Sequence, residues 1–376
     1  MEVTNEIYGI SKRYETPFLL LDLKQLKKNY KRLDSSMEKI EIYYAVKANS
    51  HIEIIKILNN MGSHFDVASR GEIEHLLKLG IPGEKMSFGN TIKKEKDIKF
   101  AKDNNIEMYA VDSEMELEKI AKNAPGSKVY ARLLMSTDDS DWPLSKKFGT
   151  DIDHVIQLLI HAKNLGLEPY GVSFHVGSQT YNKYKWKEAI VQVSEIFFQL
   201  KEYEGIELKM VNLGGGMPIQ HTRPIPQIEE ITQIISESIE EYFVDFPNLR
   251  VIIEPGRSMV GDIGTLVSEV VLRSNKQKEN WIFLDAGIFH GLLETIEDFR
   301  YELIVEGKED EETAVFTLAG PTCDSVDTIY DEVELPMSIT MGDRVFFKNA
   351  GAYTVEYGTS FNGIPSPKVY LKEGFE

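Results

Sequence analysis

The sequence has only one cysteine, Cys323, and far fewer basic than acidic residues. A single thiol excludes an intramolecular disulfide. The 42 Lys and Arg stand against 60 Asp and Glu, and the resulting net charge of −18 argues against binding to nucleic acid or anionic membrane surfaces. No apolar run approaches the length of a membrane span, and Met1 to Tyr14 is too polar for a signal peptide. These absences predict a cytoplasmic protein without nucleic-acid or membrane partners.

The pattern along the chain predicts a barrel followed by a second domain. A chain of 376 residues is long for one hydrophobic core, which favours two domains. From Ile42 onward, short β-rich runs alternate with amphipathic helical stretches, and Ser113-Glu-Met-Glu116 reads as a capping box at one helix start. Eight such repeats favour a TIM-type (β/α)8 barrel over a doubly wound sheet. The predicted strands are Ile42–Lys47, His64–Ala68, Lys85–Phe88, Ile106–Val111, Lys128–Leu134, Tyr170–Val176, Leu208–Leu213 and Arg250–Glu254.

After Gly261 the pattern becomes one of strands separated by turns, with little helical signal, which predicts an all-β domain. A further strand, Pro17–Asp22, precedes the barrel and could return to that β domain. We therefore expect a barrel over residues 24–260 and a discontinuous β-sheet domain formed by residues 1–23 and 261–376. The predicted strands of its C-terminal part are Leu266–Leu272, Trp281–Asp285, Ala314–Leu318, Arg344–Lys348 and Lys368–Leu371.

Chemically capable residues collect at the carboxyl ends of the predicted barrel strands, where TIM barrels carry their catalytic groups. Lys47 ends a run that is apolar on both faces, and burial there would lower its pKa and free the amine for Schiff-base chemistry. The simpler alternative is a lysine that extends from the strand end into solvent. The strand ends carry Lys47, Asp66, Asn90, Asp112, Arg132, His175, Gly214–Gly216 and Glu254–Arg257.

Three of these features together match the needs of a pyridoxal phosphate site. They are a Schiff-base lysine, a glycine triplet whose backbone can approach an anion, and Glu254, which could hold a protonated ring nitrogen. Simpler explanations are a flexible loop for the triplet and a structural ion pair between Glu254 and Arg257; for His175, also at a strand end, the simpler explanation is a core position. A metal site is not expected, because neither a His-x-His pair nor a cysteine cluster is present.

Longer motifs specify a family. They are Tyr44-Ala-Val-Lys-Ala-Asn49, Phe65-Asp-Val-Ala-Ser69, Ser87-Phe-Gly-Asn-Thr-Ile-Lys-Lys94, Asp141-Trp-Pro-Leu-Ser-Lys-Lys-Phe-Gly149, Ser173-Phe-His-Val-Gly-Ser178, Gly214-Gly-Gly216, Glu254-Pro-Gly-Arg257, Gly320-Pro-Thr-Cys-Asp-Ser-Val-Asp327 and Gly351-Ala-Tyr-Thr354. With them the chain resembles, over nearly its whole length, the fold-type III pyridoxal-phosphate decarboxylases of the ornithine/lysine (diaminopimelate) family. The bacterial short-chain ornithine decarboxylases are the most similar group. The resemblance implies an alanine racemase-like fold.

The resemblance also implies roles around pyridoxal 5'-phosphate. Lys47 would carry the cofactor covalently, His175 would stack on its ring, and Glu254 would pair with the protonated ring nitrogen. Asp66 and Arg132 would line the floor near the lysine and the ring hydroxyl. The phosphate would be held by Ser178, Gly215, Gly216, Gly256, Arg257 and Tyr353.

In the family the active site forms at a homodimer interface. The resemblance implies that Cys323 reprotonates the α-carbon and that Asp324 holds the distal amino group of the substrate, each reaching in from the partner subunit. Phe361 would also contact the substrate, and Lys147 and Asp327 would pair across the interface. The alternative for Cys323 is a small buried hydrophobic side chain.

The segment Asp285–Arg300 departs from the family pattern. The family places an acidic residue here against the distal amine, and the candidates are Glu294, Glu297 and Asp298, of which Glu297 aligns best. Arg300 stands where close relatives tend to carry an apolar residue. Its guanidinium could neutralise that carboxylate, or recognise an acidic group on a different substrate.

The resemblance implies decarboxylation of a basic L-amino acid in polyamine biosynthesis. We expect L-ornithine, giving putrescine, ahead of L-lysine, giving cadaverine. Arg300 keeps open a modified amino acid from siderophore or antibiotic assembly. An amino-acid racemase is less favoured, because that enzyme type places an arginine where this chain has Glu254. A non-catalytic binder resembling antizyme inhibitors is also less favoured, because all the catalytic positions are filled.

Overall fold

The computed structural model describes residues 5–37, 39–136, 140–142, 147–276 and 279–372. Residues 143–146 of the predicted Asp141–Gly149 motif lie outside this description. The chain divides into two compact units. The barrel unit comprises Asn29–Pro218 and Ile225–Gly256, and the sheet unit comprises Met1–Lys28, Ile219–Pro224 and Arg257–Glu376.

Eight parallel strands of the barrel unit form a closed barrel, which confirms the predicted (β/α)8 architecture. Parallel pairing runs from each strand to the next around the barrel, and β11 pairs with β2 to close it. Several strands end one to three residues before the predicted position. In chain-order numbering the barrel strands are β2 (Ile40–Ala45), β3 (His64–Val67), β4 (Met86–Phe88), β5 (Met108–Val111), β6 (Lys128–Arg132), β8 (Glu168–Ser173), β10 (Met210–Asn212) and β11 (Arg250–Ile253).

Amphipathic helices follow the barrel strands. In the helix Ile152–Asn164 the buried residues Val155, Leu158, Leu159 and Ala162 recur at helical spacing, so one stripe faces the barrel. A short two-stranded sheet adds β7 (Ser140–Trp142) and β9 (Ser178–Thr180). The helix α2 (Leu23–Ser36) precedes the first barrel strand, and the helices that follow barrel strands are α3 (Ile52–Asn60), α4 (Arg70–Lys78), α5 (Glu95–Asp103), α6 (Glu114–Asn123), α7 (Ile152–Asn164), α8 (Lys185–Glu204) and α9 (Ile228–Tyr242). Among the described residues, none of the helices is long and apolar enough to cross a bilayer.

Side chains fill the interior of the barrel. Tyr43, Tyr130 and Ile252 belong to a buried cluster contributed by several strands, so the barrel is a packed core rather than a pore. Along β2 and β11 these residues precede Lys47 and Glu254, respectively. The polar groups at the strand ends therefore stand on an apolar layer. The other members of the cluster are Met108, Ala110, Tyr170 and Met210.

The described part of the sheet unit contains an eight-stranded sheet in which β14-β17-β12-β13-β15-β16 are successive neighbours. The early strand β1 pairs antiparallel with β12 and parallel with β18, so the segment before the barrel does return to the β domain, as predicted. These strands are β1 (Phe18–Leu21), β12 (Gly264–Lys276), β13 (Glu279–Leu284), β14 (Leu303–Val305), β15 (Thr313–Ala319), β16 (Thr328–Pro336), β17 (Arg344–Phe347) and β18 (Lys368–Leu371). The helices of the unit are α1 (Asn5–Ser11) and α10 (Arg257–Val260), with 3-10 turns at Ile288–His290, Leu293–Glu297, Val355–Tyr357 and Phe361–Gly363.

Two strands of this sheet, β14 and β16, were not predicted. Among the described strands, β16 pairs with β15 alone, and Asp331 and Glu332 on it are exposed. Acidic side chains on an edge strand oppose pairing with another chain, but they also obscure the apolar pattern from which a strand is recognised.

Candidate active site

Lys47 lies in a 3-10 turn, Val46–Ala48, directly after β2. The turn is anchored, because the backbone N–H of Ala45 donates to the carbonyl of Pro255 and the hydroxyl of Tyr44 donates to the carbonyl of Asn49. The Lys47 side chain itself is 49% exposed. The expectation of a buried lysine is therefore wrong: the strand ends two residues early, and the turn carries the amine into an accessible position.

Asp66, the next-to-last residue of β3, places a carboxylate close to this amine. Its Oδ2 lies 3.6 Å from Nζ of Lys47, and its side chain is only 3% exposed. Burial raises the pKa of Asp66, against the opposing charges of Lys47 and Arg132. A Cβ at Gly89 would overlap Oδ1 of Asp66, so only glycine allows the loop after β4 to pass there.

Glu254 follows β11 and is oriented by Asn212, a residue that sequence reasoning did not single out. The side-chain amide of Asn212 donates to Oε1 of Glu254, while its Oδ1 accepts the backbone N–H of Gly214 at 2.9 Å. Burial raises the pKa of Glu254 to about 7; repulsion from Asp66 adds to this, and Lys47 opposes it. The position of Asn212 at a strand end, two residues before the glycine triplet, was the available signal.

His175 lies two residues beyond the end of β8. Its Nδ1 accepts the backbone N–H of Gly177 at 3.0 Å, so in the neutral ring the proton resides on Nε2. Burial lowers the pKa of His175 well below its ordinary value, and the charges of Arg132 and Lys47 act in the same direction. At neutral pH this side chain is an uncharged aromatic ring, able to stack on a flat ligand.

The glycine triplet packs directly against the turn that follows His175. A Cβ at Gly215 would lie 3.3 Å from Nε2 of His175 and 2.7 Å from the carbonyl of Glu254. Gly216 has a φ of +102°, and a Cβ there would overlap the carbonyl of Gly177. Side chains are thus excluded, and this part of the surface is built from backbone, which suits close approach of an anion. Ser178 begins β9 beside it, and Gly256 is the last residue of the barrel unit.

Arg132 completes the group at the end of β6. Burial lowers its pKa, and Glu254, Asp112 and Asp66 raise it in opposition. The barrel end therefore brings together five of the predicted residues into one electrostatically coupled group: Lys47, Asp66, Arg132, His175 and Glu254.

In the sheet unit, Arg257 forms a buried bidentate ion pair with Glu294. Nη1 donates to Oε2 at 3.0 Å, Nη2 donates to Oε1, and the two side chains are 4% and 5% exposed. Cζ of Arg257 lies 4.9 Å from the ring centroids of both Phe299 and Tyr353. Burial would lower the pKa of Arg257, but the Glu294 carboxylate outweighs it and raises that pKa. Glu294, predicted to face the substrate, is instead buried and bound to Arg257.

The other two acidic candidates of this segment differ from Glu294. Asp298, with a φ of +60°, is exposed and lies 2.7 Å from the guanidinium of Arg300. Arg300 also donates to the carbonyl of Glu332 and lies 4.5 Å from the ring centroid of Tyr330. Glu297 is exposed, and no ion pair is found for it among the described residues. Arg300 thus neutralises a carboxylate of the segment, namely Asp298.

Cys323 is exposed, so the alternative of a small buried hydrophobic side chain is wrong. Its backbone N–H donates to Oδ1 of Asn362 at 3.0 Å. Asp324 is also exposed and accepts the backbone N–H of Val326. Phe361 is 39% exposed and lies beside the Phe289 ring.

Asp327 and Lys147, predicted to pair across a dimer, have different surroundings. Asp327 is 2% exposed, and its two oxygens accept backbone N–H groups from Ile288 at 2.7 Å and Thr322 at 3.0 Å. Lys147 is exposed, with Nζ 5.0 Å from the centroid of the Phe148 ring. Their pairing across an interface stays a prediction.

The barrel end fits pyridoxal phosphate. It offers an accessible amine, a flat neutral ring, a carboxylate and a surface of glycine backbone. It also offers a buried carboxylate oxygen, Oδ1 of Asp66, that accepts no hydrogen bond from the described residues. These are the groups that such a cofactor needs for attachment, stacking, protonation and phosphate binding.

Comparison with known proteins gives the same result. Residues 23–261 match the family described as pyridoxal-dependent decarboxylase, pyridoxal binding domain. The lysine/ornithine decarboxylase of Selenomonas ruminantium is 33% identical over 363 residues, covering 96% of this chain and 90% of that protein. Antizyme inhibitor 2 of Xenopus laevis is 30% identical over 384 residues, covering 98% and 83%.

Solved structures are similar over almost the whole chain. Lysine decarboxylase from Selenomonas ruminantium superposes with a TM-score of 0.90 and 31% identity, covering 100% of this chain and 97% of that one. The arginine decarboxylase of Paramecium bursaria Chlorella virus, bound to agmatine, gives a TM-score of 0.89 with 28% identity, covering 97% and 99%.

Proposed function

Because this chain belongs to the pyridoxal-dependent decarboxylases, we propose that it decarboxylates L-ornithine to putrescine, with L-lysine to cadaverine as its second reaction. The observation that carries the choice of a basic substrate is a pair of exposed carboxylates in the sheet unit. Neither Asp324 nor Glu297 forms an ion pair among the described residues. Such groups suit the distal ammonium of a diamino acid. A role in polyamine biosynthesis is part of the proposal.

The barrel residues prepare the reacting end of the substrate. Pyridoxal phosphate, when bound, supplies an electron sink for the electron pair left behind as CO2 departs. We infer that Lys47 carries it covalently, with Asp66 orienting the amine from 3.6 Å. Glu254, held by Asn212, keeps a proton at the ring nitrogen, which strengthens the sink. The neutral His175 ring stacks on the pyridine face.

Other residues are assigned to the phosphate of the cofactor and to the floor of the site. We infer that the backbone of Gly215 and Gly216, which carry no side chain of their own, approaches the phosphate closely. Arg132, which has a long side chain, is assigned to the side of the site that faces the ring hydroxyl of the cofactor. The remaining phosphate contacts are assigned to Ser178, Gly256, Arg257 and Tyr353, and Tyr353 has a φ of +62°, a strained conformation of the kind found at functional sites.

On the substrate side, Cys323 is assigned the return of a proton to the α-carbon after CO2 leaves. Its thiol is exposed, and its loop is fixed by the hydrogen bond to Asn362. Asp324 and Glu297 are assigned to the distal amine, with Phe361 as an apolar wall. Glu294 and Asp298 are assigned no substrate contact, because Arg257 and Arg300 occupy their carboxylates.

We propose a homodimer that shares its active sites. The loops after β4 and β6, and the start of the helix after β5, expose Ile92 (57%), Leu134 (41%) and Met115 (72%). Apolar side chains gathered at one end of the barrel are typical of a surface that is covered by another protein chain. Lys147 and Asp327 remain the proposed ion pair across this interface.

The surroundings of Arg300 weaken the alternative of a modified, acidic substrate. Its guanidinium is already bound by Asp298 and by a backbone carbonyl. A racemase is disfavoured by the carboxylate of Glu254, because a racemase weakens the sink at this position. Because the chain is also similar to antizyme inhibitor 2, a non-catalytic role is the alternative against which the proposed activity is tested.

The test is a mass-spectrometric screen of the cofactor-loaded protein with L-ornithine, L-lysine and L-arginine. We expect putrescine with the highest kcat/KM and cadaverine second. Turnover of none of the three, with the cofactor bound, would contradict a basic amino acid as substrate. Exchange of the α-proton without loss of CO2 would favour a racemase, and absence of cofactor binding would favour the antizyme-inhibitor alternative.

A further inference from the structure

The segment in which this chain departs from its family contains Glu294, and Glu294 is the partner of Arg257. Both side chains are almost fully buried. Burying either charge alone is strongly unfavourable, and the bidentate pairing of the two offsets that cost. The pair is therefore a fixed feature of the sheet unit.

Neighbouring side chains restrain the guanidinium of Arg257 in two ways. The rings of Phe299 and Tyr353 each lie 4.9 Å from Cζ of Arg257, which restrains its plane. Glu294 binds Nη1 and Nη2, which restrains rotation within that plane. Glu294 is itself restrained by the hydroxyl of Tyr301, 3.5 Å from its Oε2.

We propose that Glu294 is a positioning residue for the phosphate of pyridoxal phosphate and acts by setting the orientation of Arg257. The inference rests on the proposed function, which assigns Arg257 to that phosphate. An arginine held in one orientation loses little conformational freedom when it binds an oxyanion, so restraint of this kind raises affinity. Removing Glu294 leaves the rings in place but takes away the bidentate pairing that restrains rotation of the guanidinium between them.

The carboxylate also has an opposite effect, because its negative charge offsets part of the attraction between Arg257 and a phosphate. The two effects predict opposite results for Glu294→Gln. If orientation dominates, the amide variant binds phosphate more weakly, since it keeps one acceptor and loses the bidentate pairing. If charge dominates, it binds phosphate more tightly. The proposal commits to the first result.

The experiment measures the affinity of the cofactor-free full chain for pyridoxal phosphate and for pyridoxal, which lacks the phosphate. For Glu294→Ala we expect affinity for pyridoxal phosphate to fall by about tenfold or more, the usual scale for losing a residue that orients a ligating group, with pyridoxal affinity unchanged. Glu294→Gln should change the ratio of the two affinities in the same direction but by a smaller factor, because it keeps one acceptor for the guanidinium. The phosphorus NMR shift of the bound cofactor should move in both variants.

The matched control is Glu302→Gln, which breaks an exposed ion pair with Lys348 in the same unit and should leave the ratio unchanged. An equal loss for both ligands would mean that Glu294 has only a structural role, and tighter binding of pyridoxal phosphate by Glu294→Gln would overturn the orientation mechanism. If Glu294→Ala fails to fold, the Gln variant decides on the same ratio. The binding ratio is read without turnover, so failure of the proposed substrate assignment would leave this result intact.

Discussion

Nζ of Lys47 lies 3.6 Å from Oδ2 of Asp66, with the lysine half exposed and the carboxylate almost completely buried. This asymmetry suits covalent attachment of a ligand. The amine can reach an incoming aldehyde, while the acid that orients it cannot move into solvent. Gly89 reinforces the arrangement, because the loop after β4 passes Asp66 where no side chain would fit.

We predict that Lys47→Ala abolishes covalent attachment of the cofactor. Borohydride reduction of the loaded wild-type protein should add one phosphopyridoxyl mass to the peptide that contains Lys47. The variant should gain no such mass and should lose turnover. Lys56→Ala, which removes an exposed lysine paired with Glu53, is the control and should label like wild type. Labelling of the Lys47→Ala protein at another lysine with turnover retained would refute the assignment.

Gly89→Ala should displace Asp66 and lower both stability and cofactor affinity. A Cβ at residue 89 would overlap Oδ1 of Asp66, and overpacking of this kind typically costs about 1–3 kcal/mol. Urea unfolding gives the stability, and titration with pyridoxal phosphate gives the affinity. Gly9→Ala is the matched control, because a Cβ there meets nothing within 4 Å. Wild-type affinity in Gly89→Ala would mean that the position of Asp66 is not important for binding.

The raised pKa of Glu254 predicts a pH dependence for the cofactor-free protein. Burial moves this pKa from an ordinary value of 4.5 to about 7. The folded protein then binds the proton more tightly than the unfolded chain, so the contribution of Glu254 to stability is complete below pH 4.5 and is lost as pH rises towards about 7.

Unfolding of wild type and Glu254→Gln across this range checks the prediction. The stability of wild type should fall relative to that of the variant as pH rises from about 4.5 to about 7, because glutamine has no proton to lose. Parallel curves for the two proteins would show that Glu254 titrates as an ordinary exposed carboxylate.

The sequence contained enough local information to predict the barrel and most of the candidate site. The repeat of apolar runs and amphipathic stretches placed all eight strands, and polar residues at their ends led to Lys47, Asp66 and Glu254. Local pattern was less reliable for the end of β2, because Val46 and Ala48 continue the apolar run although the chain has already turned.

Long-range pairing could not be predicted in the same way. The capping box expected at Ser113 does not form, because the carboxylate of Glu116 binds Lys93 and Lys119 instead. Arg257 pairs with Glu294, 37 residues away, and no sequence spacing indicates such a contact. Which acid pairs with which base depends on tertiary packing, so the sequence alone does not show which of the acidic residues near Arg300 is already paired.

A last prediction separates two roles of Asp327, one in holding the loop that bears Cys323 and one in pairing with a second copy of the chain. Its oxygens accept the backbone N–H groups of Ile288 and Thr322, so it joins the turn at Ile288–His290 to the loop that bears Cys323. Asp327→Asn would set an amide NH2 against one of those N–H groups and leave a buried donor unsatisfied. We expect a loss of about 1–3 kcal/mol in the free energy of unfolding, together with a lower kcat.

If Asp327 also pairs with Lys147 of a second copy, Lys147→Met should weaken dimerisation in sedimentation velocity while leaving the unfolding free energy at high protein concentration nearly unchanged. Asp327→Asn should change both quantities, because it disturbs the loop as well as the interface. The loop role would be contradicted if the two variants shifted the dimer equilibrium equally and if kcat per dimer stayed the same as in wild type. Asp327 would then act only through the partner subunit, and its two backbone hydrogen bonds would contribute little to the position of Cys323.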